Sequence, residues 1–473
     1  MKKAYDKAWL DAILYALHKN GVKGKNLQIT KKMNLNLKAK VITKYGLTRT
    51  INIKDSIRQG GVLSVIEYAT LIDEIAKELH SSKVESPIED DEILGCLLWM
   101  DDVALIQHNL ESLQAMMNIT NDVALRYHVE FGAEKCKVIK YGKGPKSNIV
   151  LNWTTLEEVP AYKYLGDRRN NKGNLTDHIK EIKKKAHAAT QKIITTATND
   201  EFKGMQMRAI WELVNTTIIP IITYGSESWR PTKKEVDQVQ KIYNESIKTI
   251  LKLPQGTPTT ILLGETGSIP IRHIIKKKKI MQQQRINKKG RETLIRRITE
   301  DKTSIWHNGM EQIKKEYNIT DQDIDGTKNQ LKTKVADAIC KKIEQEVAEE
   351  SNKKAKVKQW LERKTEVKWG KRPEYMDKLT RNQCKAIIKT RSRMLPTKEN
   401  HKKTTVDEGD MMCRMCGQTR ETQEHILQRC TKVKRQHNIR YQAVFEDDNH
   451  GELARIADEI NRIMEQLTNG QHA

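Results

Sequence analysis

The sequence predicts an α+β chain, with short antiparallel strands among helices near the N-terminus and helices thereafter. Three observations carry this. Two short apolar runs, Ile93–Met100 and Val103–Ile106, are divided only by Asp101-Asp102, which is the pattern of a hairpin. From about residue 175, apolar residues recur at helical spacing. Near the C-terminus three cysteines and a histidine stand at metal-ligand spacing. The 473 residues allow two to four domains.

Taken in order, residues 6–20 read as a helix with Trp9, Ile13 and Leu17 on one face. Residues 27–54 are basic and β-prone in parts, as in Lys40-Val41-Ile42-Thr43. A Gly60-Gly61 turn opens a helix carrying Tyr68, Ile72, Ile75 and Leu79. Residues 84–92 are an acidic loop, followed by the hairpin and a helix with Leu110, Leu113, Met117 and Val123 in register. Short strands are expected at Lys137–Tyr141, Ile149–Trp153 and Tyr162–Leu165. Residues 175–255 are mostly helical, with Ile179, Ile182, Ala186 and Ile193 as a stripe, interrupted at Pro220 and Tyr224-Gly225-Ser226. Basic helices and turns fill 256–330, and lysine-rich helices fill 331–390.

Lysine and arginine number 85 against 61 aspartates and glutamates, a net charge of +24. The excess is localised. Residues 1–50 carry +10, residues 251–300 carry +9 and residues 351–400 carry +11, leaving the remainder at −6. Such blocks point to a polyanion partner, with salt-sensitive phosphate binding. The run Lys276–Lys279 cannot all face a core. Hydrophobic residues make up 37%, enough for a core, and no apolar run approaches a membrane span of roughly 18–20 residues. Asp6, Lys7 and Asp11 break what could be a signal-peptide core. The expectation is an intracellular chain, nuclear or cytoplasmic, without a membrane.

Seven scattered cysteines do not read as a disulfide framework. Cys413, Cys416, His425 and Cys430 form a C-x2-C-x8-H-x4-C knuckle with Gly417 at its turn. Four soft or borderline ligands suit tetrahedral Zn²⁺ and leave no open position for catalysis. Cys96, Cys136, Cys340 and Cys384 are expected as buried small hydrophobes. Asp101 and Asp102, held between rigid strands, form a candidate Mg²⁺ site. Two such ions can activate an attacking hydroxyl and stabilise a leaving oxygen. A solvated turn is the simpler explanation of the pair taken alone.

The order of the neighbouring motifs resembles the reverse transcriptases of non-LTR, LINE-type retrotransposons. Lys3-Ala4-Tyr5-Asp6 is similar to the tail of the family's first palm motif, and Ile57-Arg58-Gln59-Gly60-Gly61-Val62-Leu63-Ser64 to the second. Trp99-Met100-Asp101-Asp102 is similar to the third, Lys135-Cys136-Lys137 to the lysine motif, and Tyr164-Leu165-Gly166 to the primer grip. Tyr224–Trp229 and the Glu421-Thr422, His425, Cys430 set resemble signatures beyond the palm.

The resemblance implies a partial palm over 1–170 with the fingers largely missing and a helical thumb over 171–260. It further implies a basic connection region over 261–400, the knuckle over 401–440 and a tail over 441–473. It implies Mg²⁺ on Asp101 and Asp102, and exclusion of a ribose 2′-hydroxyl by Tyr5. Arg58, Gln59, Gly60 and Gly61 would meet nucleotide and template, Lys135 would meet pyrophosphate, and Tyr164, Leu165 and Gly166 the primer. Partners would be an RNA template, a DNA primer and deoxynucleoside triphosphates, and the knuckle would bind RNA or single strands.

The sequence departs from the family at Val65, Glu67 and Trp99, where proline, an apolar residue and tyrosine or phenylalanine are usual. The family's first metal-binding aspartate falls five residues before Tyr5, ahead of Met1, and Asp6 is a poor replacement. The expectation is therefore a 5′-truncated RNA-directed DNA polymerase, impaired as an isolated chain. The alternatives are a catalytically dead nucleic-acid-binding remnant and, third, an intron-maturase-like protein.

Overall fold

Helices and short hairpins alternate through the first 170 residues of the computed structural model, and helices dominate the rest. The structure describes residues 5, 8–53, 56–84, 94–198, 205–364, 366–401 and 411–469. Met1–Ala4, Asp6 and most of the acidic 84–92 segment lie outside the described residues. The chain divides into two units, Met1–Asp177 and His178–Ala473. Among the described residues, no helix is long and apolar enough to cross a membrane.

In the first unit, α1 (Leu10–Lys19), α2 (Gly24–Asn34), α3 (Ser64–Ser82) and α4 (Leu110–Arg126) support, among the described residues, six two-stranded sheets. The strands are β1 (Lys38–Ala39), β2 (Ile42–Thr43), β3 (Gly46–Leu47), β4 (Ile51–Asn52), β5 (Cys96–Trp99) and β6 (Asp102–Leu105). They continue as β7 (Lys137–Val138), β8 (Val150–Leu151), β9 (Thr154–Thr155), β10 (Glu157–Glu158), β11 (Ala161–Tyr164) and β12 (Asp167–Asn170). Five of the six pairs are antiparallel; β7 and β10 run parallel. The core joins Ile13 and Leu17 of α1, Tyr68, Leu71, Ile72, Ile75 and Leu79 of α3, and Met116 and Val123 of α4. Such a one-sided stripe is what a 3.6-residue period buries. At its edge Glu74 is 4% exposed and accepts from Lys19 Nζ at 2.6 Å and Lys77 Nζ at 2.8 Å. That carboxylate ties α1 to α3.

The β-prone part of 27–54 forms β1 to β4, including Ile42–Thr43, while its start belongs to α2, which runs from Gly24 to Asn34. Low apolar content hides this helix, which buries only Thr30 and Asn34. The hairpin turn is Met100-Asp101, one residue earlier than expected, since Trp99 pairs with Asp102. Met100 accepts φ +55° in the left-handed region while its side chain packs on the core.

The second unit is helical: α5 (Thr176–Thr198, starting at the boundary), α6 (Met207–Leu213), α7 (Ile219–Ile222), α8 (Lys233–Ile250), α9 (Thr259–Glu265) and α10 (Ile271–Asn287). It continues through α11 (Leu294–Glu300), α12 (Ile305–Tyr317), α13 (Asp321–Asp325), α14 (Lys328–Ser351) and α15 (Ala355–Arg363). It ends with α16 (Tyr375–Lys378), α17 (Arg381–Arg391), α18 (Lys398–His401) and α19 (His450–Asn469). The stripe Ile179, Ile182, Ala186, Ile193 of α5 is buried. Pro220 sits in the first turn of α7, where its missing N–H costs little, just after a π-helical turn at Val214–Ile218. Gly225 takes φ +68° and opens the Ser226–Ser228 turn.

The lysine run is not a solvated face. Lys276–Lys279 are all half-buried. Lys276 Nζ donates to Glu316 at 2.6 Å, Lys278 Nζ to the Thr223 carbonyl at 2.5 Å, and Lys279 Nζ to the Trp229 carbonyl at 2.5 Å. Long stems cover apolar surface while the ammonium groups satisfy carbonyls left by the broken helix. Of the four cysteines outside the knuckle, Cys384 is fully buried, whereas Cys96, Cys136 and Cys340 are partly exposed.

Candidate active site and metal centre

The β5–β6 hairpin stands on the apolar core, with Leu98, Val103 and Leu105 packed against it. This fixes Asp101 in the turn and Asp102 at the start of β6, both exposed. Among the described residues neither carboxylate makes an ion pair, so both are available to a cation.

Tyrosines surround the pair. The rings of Tyr5 and Tyr68 stack with centroids 5.2 Å apart and planes 18° from parallel. Burial, and then the negative charge of Asp101, holds both phenols above their usual range. Tyr162 and Tyr164 are raised by burial and then by the charge of Asp102. Asp101 thus adjoins the Tyr5–Tyr68 stack, and Asp102 adjoins the β11 tyrosines.

Backbone contacts draw in the other motifs. Ile57 N donates to the Tyr5 carbonyl at 3.1 Å, which anchors the Arg58–Gly61 turn beside Tyr5. Gly60 takes φ +80°. A Cβ on Gly61 would lie 2.5 Å from Ser64 Oγ and 3.2 Å from the Arg58 carbonyl, so the turn needs both glycines. Arg58 and Gln59 are exposed at its surface. Tyr162 Oη donates to the Lys135 carbonyl at 3.2 Å, which sets the lysine motif beside β11, with the Lys135 side chain exposed. Tyr164 pairs with Asp167 across a two-residue turn of Leu165 (φ +47°) and Gly166 (φ +84°).

Two site residues escaped the sequence reading. Tyr68 belongs to the buried stripe of α3, and its spacing does not distinguish a core ring from one that also stacks on Tyr5. Tyr162 alternates with Tyr164 along β11, and only its Oη contact reveals the link to Lys135. At the departing position Glu67 the structure shows accommodation. The side chain is 3% exposed, accepts from Asn34 Nδ2 at 2.9 Å, and has its carboxyl raised by burial.

The second unit holds the four knuckle residues together. The ligand atoms of Cys413, Cys416, His425 and Cys430 all lie within 4.8 Å of one another. Cys413 Sγ and Cys430 Sγ are 3.8 Å apart, and Cys416 Sγ lies 3.4 Å from His425 Nε2. Zinc–thiolate bonds of about 2.3 Å give tetrahedral S–S edges of about 3.8 Å, so the donor set fits a tetrahedral ion. Burial pushes the Cys413 thiol up to about 11, while the Gln418 backbone amide draws Cys416 down to about 6.

The knuckle is braced from outside. Gly417 (φ +66°) donates its N–H to the Cys413 carbonyl at 2.8 Å. Thr419 Oγ1 lies 3.0 Å from His425 Nδ1, which leaves Nε2 aimed at Cys416. Glu421, fully buried, accepts from Arg414 N at 2.8 Å and Arg414 Nη2 at 2.7 Å, and Arg414 also donates to the Pro396 carbonyl at 3.1 Å. Arg435 donates to the carbonyls of Ile426, Leu427 and Cys430, each at 2.9 Å. Arg414 and Arg435 read in sequence as ordinary basic residues, because their partners are backbone carbonyls and one buried acid.

Residues 1–168 match the family described as reverse transcriptase (RNA-dependent DNA polymerase). This segment is thus similar to reverse transcriptase domains. It contains the Asp101-Asp102 hairpin, the Arg58–Gly61 turn, Lys135 and Tyr164–Gly166. The chain is also similar to an uncharacterized transposon-derived protein of Caenorhabditis elegans. The identity is 26% over 148 residues, which is 30% of this chain and 52% of that protein. The match thus spans about half the length of that relative.

Proposed function

We propose that the chain is the RNA-directed DNA polymerase of a non-LTR retrotransposon, transferring deoxynucleotides to a primer 3′-hydroxyl on an RNA template. What supports this is the pair of exposed carboxylates at the β5–β6 turn, with Tyr5 and Tyr68 beside Asp101 and the β11 tyrosines beside Asp102, in the segment that matches the reverse transcriptase family. The transposon-derived relative supports the mobile-element setting.

Mg²⁺ bound at Asp101 and Asp102 would supply charge stabilisation for attack and pyrophosphate departure. The Tyr5 ring, backed by Tyr68, would stand where a 2′-hydroxyl has no room. The Gly60-Gly61 backbone would admit nucleotide and template base. Lys135, exposed next to β11, would neutralise the departing pyrophosphate. The Tyr164–Gly166 turn would hold the primer end. The helices after residue 171 would grip duplex phosphates, and the Cys413–Cys430 centre would hold structural Zn²⁺ and contact RNA.

Primer extension with Mg²⁺ on an RNA template tests the reading. Synthesis that disappears in Asp101→Ala/Asp102→Ala, with salt-sensitive binding retained, supports the polymerase. Binding with no synthesis under any condition favours the second reading, a catalytically dead nucleic-acid-binding remnant, for which the basic blocks speak.

A further inference from the structure

Helix α17 presents Arg381, Lys385 and Lys389 at four-residue intervals, hence on one face. All three are half-buried. Arg381 Nε donates to the Ile250 carbonyl at 3.0 Å and so clamps the start of α17 to the last turn of α8. The chain leaves α8 through Lys252, at φ +51°, which brings a fourth cation beside the row. The Lys385 ammonium is disfavoured by burial and then by Lys252 and Arg381, and that of Lys389 by burial and then by Lys385.

Among the described residues Lys252, Lys385 and Lys389 make no ion pair. This sets them apart from Lys276, Lys278 and Lys279, which find Glu316 or carbonyls. Asp458 of α19 accepts instead from Gln383 Nε2 at 3.0 Å, two residues before Lys385 and so on another side of α17. Partly desolvated cations that repel one another and lack internal acids gain most from an external anion. From Arg381 to Lys389 the helix rises about 12 Å. One strand of a duplex places about three or four phosphates over that length.

We propose that Lys252, Lys385 and Lys389, spaced by the Arg381–Ile250 clamp, form a seat for the phosphodiester backbone of a nucleic-acid strand. The proposal rests on reading the chain as a handler of polynucleotides and is independent of catalysis at Asp101 and Asp102. The seat takes the backbone without reading sequence, because ammonium groups on flexible stems contact phosphates as point charges.

The test is fluorescence anisotropy of the zinc-loaded full chain with a labelled RNA–DNA hybrid, without Mg²⁺ or nucleotides, across a salt series. Lys252→Gln/Lys385→Gln/Lys389→Gln is expected to weaken binding at least about tenfold and to flatten the salt slope by about two to three, at roughly 0.9 per lost phosphate contact. A control removing equal charge from exposed positions of α14, Lys328→Gln/Lys332→Gln/Lys341→Gln, is expected to stay within about twofold, since Lys341 lies on a different face of the helix from Lys328 and Lys332. Equal loss in both variants, or none in the first, overturns the seat. So does retained hybrid binding with lost binding to phosphatidylserine vesicles, which would make the face a membrane contact. If the triple variant misfolds by circular dichroism, Lys385→Gln alone decides, with an expected slope change of about one. Failure of primer extension leaves these outcomes untouched, so the two readings fail separately.

Discussion

Arg391 donates from Nη1 to Glu265 Oε2 at 2.6 Å although the two residues are 126 positions apart, and both side chains are fully buried. The same carboxylate accepts from Trp360 Nε1 at 2.7 Å, while Arg391 Nη2 donates to Asp447 at 2.8 Å. One ion pair therefore ties α9, α15, α17 and the segment before α19. Removing one partner strands a buried charge, so Arg391→Met is expected to cost about 3–5 kcal/mol, read by urea unfolding of the full chain. Burial alone would raise the Glu265 carboxyl, but the charges of Arg391 and Lys364 outweigh it and hold it at about 2. Its folded value lies below its unfolded one. The stabilisation is therefore complete above about pH 4.5 and is lost as pH falls toward 2.

His273 offers a second pH dependence, of opposite chemistry. Its ring is fully buried, with Nδ1 2.6 Å from Tyr317 Oη and Nε2 3.2 Å from Glu346. Burial lowers its pKa, and the Glu346 hydrogen bond only partly offsets this. A base depressed in the folded state costs stability when it must be protonated. The unfolding midpoint is expected to be level above about pH 6.5 and to fall below it. His273→Gln should flatten that part of the profile; an unchanged profile would remove His273 as its source.

The knuckle is expected to bind about one equivalent of Zn²⁺ by elemental analysis, lost in Cys413→Ser/Cys416→Ser. Thr419→Val removes the group beside His425 Nδ1 without touching a ligand. It should weaken zinc about 10-fold or more in chelator competition. Unaltered affinity would show that the histidine is oriented by packing alone.

Gly267 takes φ +61°, and a Cβ there would collide with the Lys371 carbonyl. The Gly267 carbonyl in turn accepts from Gly370 N at 2.9 Å, so neither strand of this crossing can retreat cheaply. Gly267→Ala should destabilise the chain by about 3 kcal/mol, at the upper end for overpacking with added backbone strain. Gly309→Ala, in open space within α12, should be neutral or slightly stabilising in the same thermal-melt comparison.

The features legible in sequence are those set by local periodicity or by close ligand spacing. The α3 stripe of Tyr68, Ile72, Ile75 and Leu79 is buried as its 3.6-residue repeat requires, and the knuckle residues gather as their spacing suggests. What escaped depends on distant partners. Lys278 and Lys279 reach carbonyls 55 and 50 positions away, which no local pattern announces. Arg391 looks like any residue of a basic block until Glu265 is placed beside it. The hairpin register also escaped, because it rests on Met100 adopting a left-handed backbone that sequence alone disfavours.

That one-residue difference in register makes the neighbouring aspartates inequivalent. Asp102 belongs to a paired strand, and its direction is tied to Trp99 across the sheet. Asp101 rides on the turn, steered by the backbone of Met100. Lengthening the loop by a single residue would leave Asp102 on its strand but swing Asp101 away from Tyr5 and Tyr68. The separation of the two charges is thus a property of loop length, and two identical side chains in sequence answer to different mechanical controls.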